Sequence, residues 1–211
     1  MNDFLISTLI YLIGGLAGLI VLGKIFLVSV GPKEIATKER RYIGRRMLPG
    51  RVVATEGEVG IQAAVLKPGL HLIKFPIERV VKFERLGRKV PLIEIGADEI
   101  GIVEAMDGEP MPPGRIFAPD PSHNAHNNFQ DPIAFLKGGG IKGIQMRTLP
   151  PGLWPIHPYL FRVSIAKVTV VPQGKIGIVT SADGAPLDAG RLLAKATSGH
   201  RNFQDAEQFI A

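Results

Sequence analysis

Residues 100–103 read Ile-Gly-Ile-Val, and residues 176–179 read the same four letters. The match continues downstream of both stretches, because an Asp-Gly pair, a Gly-Arg pair and a Phe-Gln-Asp triplet follow in the same order. The copies are 76 residues apart at Ile-Gly-Ile-Val and 74 apart at Phe-Gln-Asp. Self-similarity at a nearly constant spacing is typical of a repeated structural unit. The fold is therefore expected to contain two copies of one β-rich unit.

A second repeated block carries turn signals. Gly-Ile-Gln starts at residue 60 and again at residue 143, and Pro-Gly follows it at Gly69 and Gly152, each pair 83 residues apart. The pairs Asp107-Gly108 and Asp183-Gly184 predict hairpin turns, because glycine accepts the positive φ that a tight turn needs. Short β-branched runs separated by such turns are typical of small sheets with one buried face.

Each copy also predicts a short helix. Asp131 precedes Pro132, which is typical of an N-cap followed by the first helical position, so residues 133–136 are predicted to form a helix that stops at glycines 138–140. Asp205 begins the same pattern near residue 211. The aromatic residues that accompany the repeat are predicted to pack in the core, and they are Phe129, Phe135, Trp154, Tyr159 and Phe161.

An apolar run before these repeats is long enough to cross a bilayer. Between residues 4 and 23 only Ser7 and Thr8 are polar, and twenty helical residues reach about 30 Å, the thickness of the hydrocarbon core. A cleaved signal peptide is disfavoured, because the start lacks a basic region and no small-residue cleavage site follows. Lys24 either ends the span or snorkels from a helix that continues further. The positions assigned to the span are Phe4, Leu5, Gly14, Gly18, Gly23 and Val30.

Gly14 and Gly18 form a G-x-x-x-G pair inside this run. Such a pair lets two membrane helices approach closely, although glycine is also common in membrane helices that do not dimerise. The pair is a candidate dimerisation face.

The net charge of +6 is concentrated beside the apolar run. Residues 33–51 hold seven basic and two acidic residues, so they carry five of the six excess charges. A nucleic-acid binder normally spreads basic residues over its folded domain, so this class is disfavoured. The positive-inside rule places the flank and everything after it in the cytoplasm. The flank is either a topology signal or a contact for anionic lipid head groups, and its assigned residues are Lys33, Lys38, Arg40, Arg41, Arg45 and Arg46.

Signals for catalysis or metal binding are weak. The chain has no cysteine, no nucleophile elbow and no phosphate-binding loop. His123 and His126 could bind a transition metal only with a third ligand such as Asp120 or Asp131, and a surface loop is the simpler interpretation. The frequent acidic residues are expected on the solvated surface and include Asp98, Glu99, Glu104, Asp107 and Glu109. We predict neither an enzyme nor a cofactor.

The apolar run, the basic flank, Gly-Glu-Val-Gly-Ile at 57–61 and Leu-Lys-Pro-Gly-Leu-His at 66–71 together resemble the SPFH or band 7 superfamily of stomatins, prohibitins and flotillins. Over residues 50–211 the repeat is most similar to large bacterial flotillin-like members. The resemblance implies a membrane-anchored, non-enzymatic scaffold that self-associates, organises a membrane microdomain and controls access of partners such as membrane proteases. The chain departs from the family by lacking sustained heptads, and it ends inside the second copy's helix, so a fragment is expected.

We therefore predict an α+β, mostly β protein with a single transmembrane helix and a tandem-repeated module. The predicted divisions are an anchor at 1–31, a basic juxtamembrane segment at 32–51, a first repeat unit at 52–137 and a second, incomplete unit at 138–211. The expected partners are the cell membrane, further copies of the chain and other membrane proteins, with no nucleic acid. An alternative hypothesis is an extracytoplasmic module whose loop at 110–128 holds a small ligand or a metal, which requires the opposite topology.

Overall fold

The protein begins with a long apolar helix and continues as a set of small sheets. A computed structural model describes residues 2–81 and 90–210. Helix α1, Asn2–Phe26, is long and apolar enough to cross a membrane, and over Ile6–Phe26 none of it is buried against the rest of the described chain. It is therefore not the core helix of the β-rich part, and the architecture is α+β and mostly β.

Five strands follow α1 and form what we call the first unit, residues 27–81. They are β1 Leu27–Val30, β2 Glu34–Arg40, β3 Gly60–Leu66, β4 Gly69–Leu72 and β5 Glu78–Val80. Strand β2 lies between β3 and β5 and is antiparallel to both, while β1 pairs with β4. A short strand β6, Val90–Pro91, pairs with the start of β2.

The second unit, residues 92–167, has the same arrangement with one helix added. Its elements are β7 Ile93–Ile95, β8 Glu99–Ala105, α2 Pro132–Lys137, β9 Gly143–Leu149, β10 Gly152–Trp154 and β11 Phe161–Lys167. Strand β8 lies between β9 and β11, and β7 pairs with β10. The third segment, residues 168–210, contains helix α3, Ala206–Ile210.

The two units also share their strand register. Ala36 pairs with Leu66 in the first unit, and Gly101 pairs with Leu149 in the second. Each central strand then shifts register at the same place, between Thr37 and Glu39 in β2 and between Ile102 and Glu104 in β8. The first unit is therefore a copy of the second, and it starts before residue 52.

This arrangement corrects the predicted divisions. The segment at 32–51 is not a juxtamembrane linker, because it contains β2, the central strand of the first sheet. The predicted boundaries after residues 51 and 137 are wrong, since they separate β2 from β3 and β8 from β9. The first copy was hard to detect because Ile43 precedes its turn glycine, Gly44, where the later copies have aspartate.

The predicted extension of the membrane helix to Val30 is wrong. The helix ends at Phe26, and β1 pairs with β4 over four residue pairs, from Leu27–Leu72 to Val30–Gly69. The β-branched residues of this stretch suit a strand that has a partner. Val30 is buried in the first unit and does not belong to the span.

The predicted hairpins at Asp107-Gly108 and Asp183-Gly184 are also wrong. Strand β8 takes its neighbours from β9 and β11, and no described strand lies between Gly108 and α2. The repeated stretch around residues 176–180 is exposed and forms no strand in the described chain. It lacks the two neighbours that β8 has.

The local turn and cap signals do correspond to structure. Asp131 Oδ1 accepts hydrogen bonds from the N–H groups of Ile133 and Ala134, which begins α2 as predicted, and Asp205 Oδ1 accepts from Gln208 N–H at the start of α3. Gly69 and Gly152, both with positive φ, lie in the turns that lead into β4 and β10.

One core joins the two units, as the aromatic pattern predicts. Phe135 in α2 lies edge-on to Phe161 in β11 with ring centroids 5.0 Å apart, and Phe129 is fully buried beside both. Trp154 and Tyr159 pack against this cluster while partly buried. The core also includes apolar residues of the first unit, so the two copies fold against each other.

Candidate functional site

The surface of α1 is the first candidate site. A Cβ added at Gly14, Gly18 or Gly23 would meet nothing within 4 Å, and Phe4 is exposed, while the side chain of Leu5 lies outside the description. The hydroxyls of the two polar residues, Ser7 and Thr8, donate to the Phe4 carbonyl at 3.0 and 2.8 Å. Polar groups satisfied inside a helix are cheaper to place in hydrocarbon.

The end of α1 is tied directly to the first unit. The N–H of Ile73 donates to the carbonyl of Phe26, the last helical residue, at 2.7 Å. The rings of Phe26 and Phe75 meet edge-on with centroids 6.5 Å apart. A backbone bond and an aromatic contact therefore hold the helix end against the sheet.

Two residues of the basic flank turn toward a buried carboxylate. Lys38 Nζ lies 3.3 Å and Arg40 Nη2 lies 3.6 Å from Glu78 Oε1. Burial opposes the charged form of Glu78, yet the Lys38 ammonium and then Arg40 hold the pKa of this carboxyl below its usual value. The predicted head-group contact is therefore wrong for Lys38 and Arg40, whose charges act inside the first unit.

The rest of the basic flank stays accessible. Arg45 reaches Glu56 at 3.7 Å with both side chains exposed, and such a pair contributes little. The Arg41 guanidinium lies 5.3 Å from the ring centroid of Tyr42. Lys33 and Arg46 form no ion pair with a described residue. Exposed apolar side chains accompany these cations, namely Tyr42, Ile43 and Leu48, a combination that suits a membrane interface.

Asp107 is buried, so its prediction as a solvated acid is wrong. Its Oδ2 accepts hydrogen bonds from the N–H groups of Val52 at 2.6 Å and Val53 at 3.1 Å, and its Oδ1 lies 3.1 Å from Arg51 Nε. One carboxylate of the second unit thus binds two successive backbone donors and a guanidinium of the first. We call this contact the first Asp–Arg junction.

Asp183 makes the same contact one unit later. Its Oδ2 accepts from the N–H groups of Ile116 at 3.0 Å and Phe117 at 2.9 Å, and its Oδ1 lies 3.5 Å from Arg115 Nε. Donation from Phe117 N–H is the main reason that the pKa of Asp183 lies below its usual value, with burial acting the other way. This second Asp–Arg junction holds the third segment against the second unit.

A further contact fixes α3 to the second unit. Arg147 Nε lies 3.4 Å from Asp120 Oδ2, and Arg147 Nη2 lies 2.7 Å from Glu207 Oε2 in α3. Burial raises the pKa of Glu207, although Arg147 opposes this shift. The third segment is therefore anchored at Asp183 and at Glu207.

The histidine pair that suggested a metal is not arranged as a ligand set. His126 is fully buried, with Nε2 3.0 Å from Asp120 Oδ2 and Nδ1 accepting the N–H of Phe129 at 2.8 Å. Burial lowers the pKa of His126 against the influence of Asp120. Within residues 2–81 and 90–210 no three His, Asp or Glu side chains are grouped as a metal site would need. Asp131 is used as the cap of α2.

His157 is a buried group that sequence reasoning missed. Its Nε2 lies 3.1 Å from the carbonyl of Gln62 in the first unit, and its Nδ1 accepts the N–H of Leu160 at 3.1 Å. Burial lowers the pKa of His157 to about 4, so a neutral imidazole links the two units at neutral pH. The available signal was that His157 stands where the first copy has Lys74.

An apolar cavity of about 590 Å³ lies where the two units meet. Val52 of the first unit and Ile93, Ile156 and Tyr159 of the second contribute to its lining. It is separate from the loop at 110–128 to which the alternative hypothesis assigns a ligand.

Comparison of the chain with protein-family models, with curated proteins and with solved structures found no match.

Proposed function

We propose that the protein is a membrane-anchored scaffold of the SPFH or flotillin-like kind, which self-associates to organise a membrane microdomain and partner membrane proteins. The observation that carries the proposal is the direct connection of α1 to tandem β units that are joined by Asp–Arg junctions. An apolar helix concentrates and orients such an array at a bilayer, and tandem units supply a long surface for association.

The accessible part of the basic flank supports a cytoplasmic array. Lys33, Arg41 and Arg46 follow the helix closely and form no ion pair with a described residue, so their charge is available at the membrane surface. Basic residues at that position favour the cytoplasmic side and attract anionic lipids at about 1 kcal/mol each.

The open face of α1 supports self-association. Gly14 and Gly18 present helix surface without side chains, so a second helix can approach closely. Substitution of both by leucine is expected to shift the detergent-solubilised protein toward monomer in sedimentation and crosslinking experiments. Gly23→Leu is the matched control, because Gly23 lies on the other side of the helix from Gly14. A wild-type protein that stays monomeric in native membranes would contradict the proposed scaffold.

Topology is tested with single cysteines in this cysteine-free chain. A cysteine at the exposed position Ser198 is expected to react with a membrane-impermeant maleimide only after the cells are permeabilised. A cysteine at Asn2, before the helix, is expected to react in intact cells. The reverse labelling pattern would favour the extracytoplasmic ligand-binding module, for which the buried, fully bonded His126 offers no support.

A further inference from the structure

The third segment carries a third copy of the same sequence but lacks the strands that cover the other two. Residues 50–54, 114–118 and 190–194 share the pattern Gly-Arg, two apolar residues and Ala. Ile176 and Ile178, which correspond to Ile100 and Ile102 of β8, are each 93% exposed, and Leu192 is 95% exposed. Among the described residues, no strand pairs with this segment. We call residues 168–194 the acceptor segment.

The first two units show what covers an equivalent segment. A strand that starts with Gly-Ile-Gln and ends with Leu, β3 or β9, pairs antiparallel with the central strand, β2 or β8. The Gln side chain folds back on its own strand in both copies, since Gln62 Nε2 donates to the carbonyls of Glu58 and Gly60, and Gln145 Nε2 to those of Ile141 and Gly143.

The same strand also binds the Gly-Arg stretch on its other side. Ala54 N–H donates to the Ile61 carbonyl at 2.7 Å, and Ala118 N–H donates to the Ile144 carbonyl at 2.7 Å. One Gly-Ile-Gln strand therefore satisfies two backbone segments of its unit at once. In the acceptor segment both backbone segments are present and exposed.

The acceptor segment is already positioned. Asp183 is bound to the N–H groups of Ile116 and Phe117, and Glu207 is bound to Arg147. A strand that adds to it therefore meets a template whose place is fixed at two points, which lowers the entropic cost of binding.

We propose that the acceptor segment binds, by strand addition, an extended segment of the pattern Gly-Ile-Gln-x-x-x-Leu from a partner polypeptide. By the register of the second unit, its Leu would lie opposite Gly177 and its Ile opposite Thr180. A second copy of this chain is not the source, because its own segments of this type, β3 and β9, are paired within their units. Main-chain hydrogen bonds supply the affinity, and the alternate side chains supply the selectivity.

The test uses the full-length protein in detergent and a fluorescein-labelled peptide with the sequence of residues 143–153. Saturable binding by fluorescence anisotropy is expected. Ile178→Pro is expected to weaken binding about tenfold or more, because proline removes a backbone donor and obstructs strand pairing. Ala189→Pro is the matched control, since Pro49 and Pro113 occupy this position in the first two copies, and it is expected to leave binding unchanged.

Three results would overturn the proposal. One is equal binding of a peptide with the same composition in scrambled order. Another is undiminished binding to the Ile178→Pro variant, whose folding is checked by the fluorescence of Trp154 in β10. The last is a change in oligomer size caused by Ile178→Pro in the absence of peptide, which would assign the segment to a second copy of the chain.

Discussion

Asp107 and Asp183 show how single side chains connect successive units. Each carboxylate replaces water for two adjacent N–H groups and faces an arginine whose side chain is largely covered. In the first unit the corresponding position is Ile43, which is exposed and has no preceding unit to bind. The aspartate therefore marks a unit that follows another unit.

Asp107→Ala is expected to lower the free energy of unfolding by about 3 kcal/mol. The substitution leaves Arg51 and the N–H groups of Val52 and Val53 without their buried acceptor. Urea denaturation of the solubilised protein, followed by Trp154 fluorescence, measures the change. Asp188→Ala is the control, because Asp188 pairs only with Lys195 at the exposed surface, and a change within about 0.5 kcal/mol is expected. Equal effects would remove the energetic importance of the first junction.

His157 predicts a loss of stability in acid. Its pKa is about 4 in the folded protein and 6.5 as a free side chain, so between these pH values the unfolded chain binds more protons. The free energy of unfolding is therefore expected to fall by about 3 kcal/mol from this group as pH drops from 6.5 to 4. In denaturation curves at several pH values, His157→Gln should lose less stability over this interval than the wild type. Parallel pH profiles would refute this role.

At the scale of elements, sequence and structure agree where the signal is local. Asp131 and Pro132 define the start of α2 within a few residues, and the turn glycines Gly69 and Gly152 act on their immediate neighbours. Asp107 was misread because the donors it binds lie 54 and 55 residues earlier. An Asp-Gly pair has the same letters in a hairpin turn and in a long-range junction, so only the folded chain distinguishes them.

The two equivalent helix caps predict different energetic effects. Asp131→Ala is expected to destabilise the protein by about 1 kcal/mol, because α2 buries Phe135 in the core and loses two capping bonds. Asp205→Ala is expected to leave the unfolding transition unchanged, because α3 has no buried residue. Parallel thermal melts of the two variants measure the difference. Equal shifts would show that the two helices are equally integrated.

At the scale of the whole molecule, stability is concentrated in the first two units. Their core is continuous, with Val53 and Ala63 of the first unit packed with Val103 and Phe161 of the second. The third segment is joined through its Asp–Arg junction and α3 while most of its apolar side chains stay exposed. The three copies of one sequence therefore differ in how completely they are covered.

Amide hydrogen exchange is expected to follow this gradient. The amides of β8 lie between two strands and should exchange near the rate of global unfolding. The amides at 176–180, which have the same sequence pattern, should exchange within seconds. Mass spectrometry of peptides from the two regions makes the comparison inside one molecule. Similar protection in both would mean that residues 176–180 are covered in solution.

The direct passage from α1 into β1 makes the helix and the array a lever. Phe26 ends the helix and Leu27 starts a paired strand, so no hinge residues can absorb a change in helix angle. Membrane helices tilt when the hydrocarbon layer becomes thinner than their apolar length. A change of bilayer thickness would therefore swing the second unit through an arc above the membrane surface, and the β array would report the local thickness of the membrane to whatever binds it.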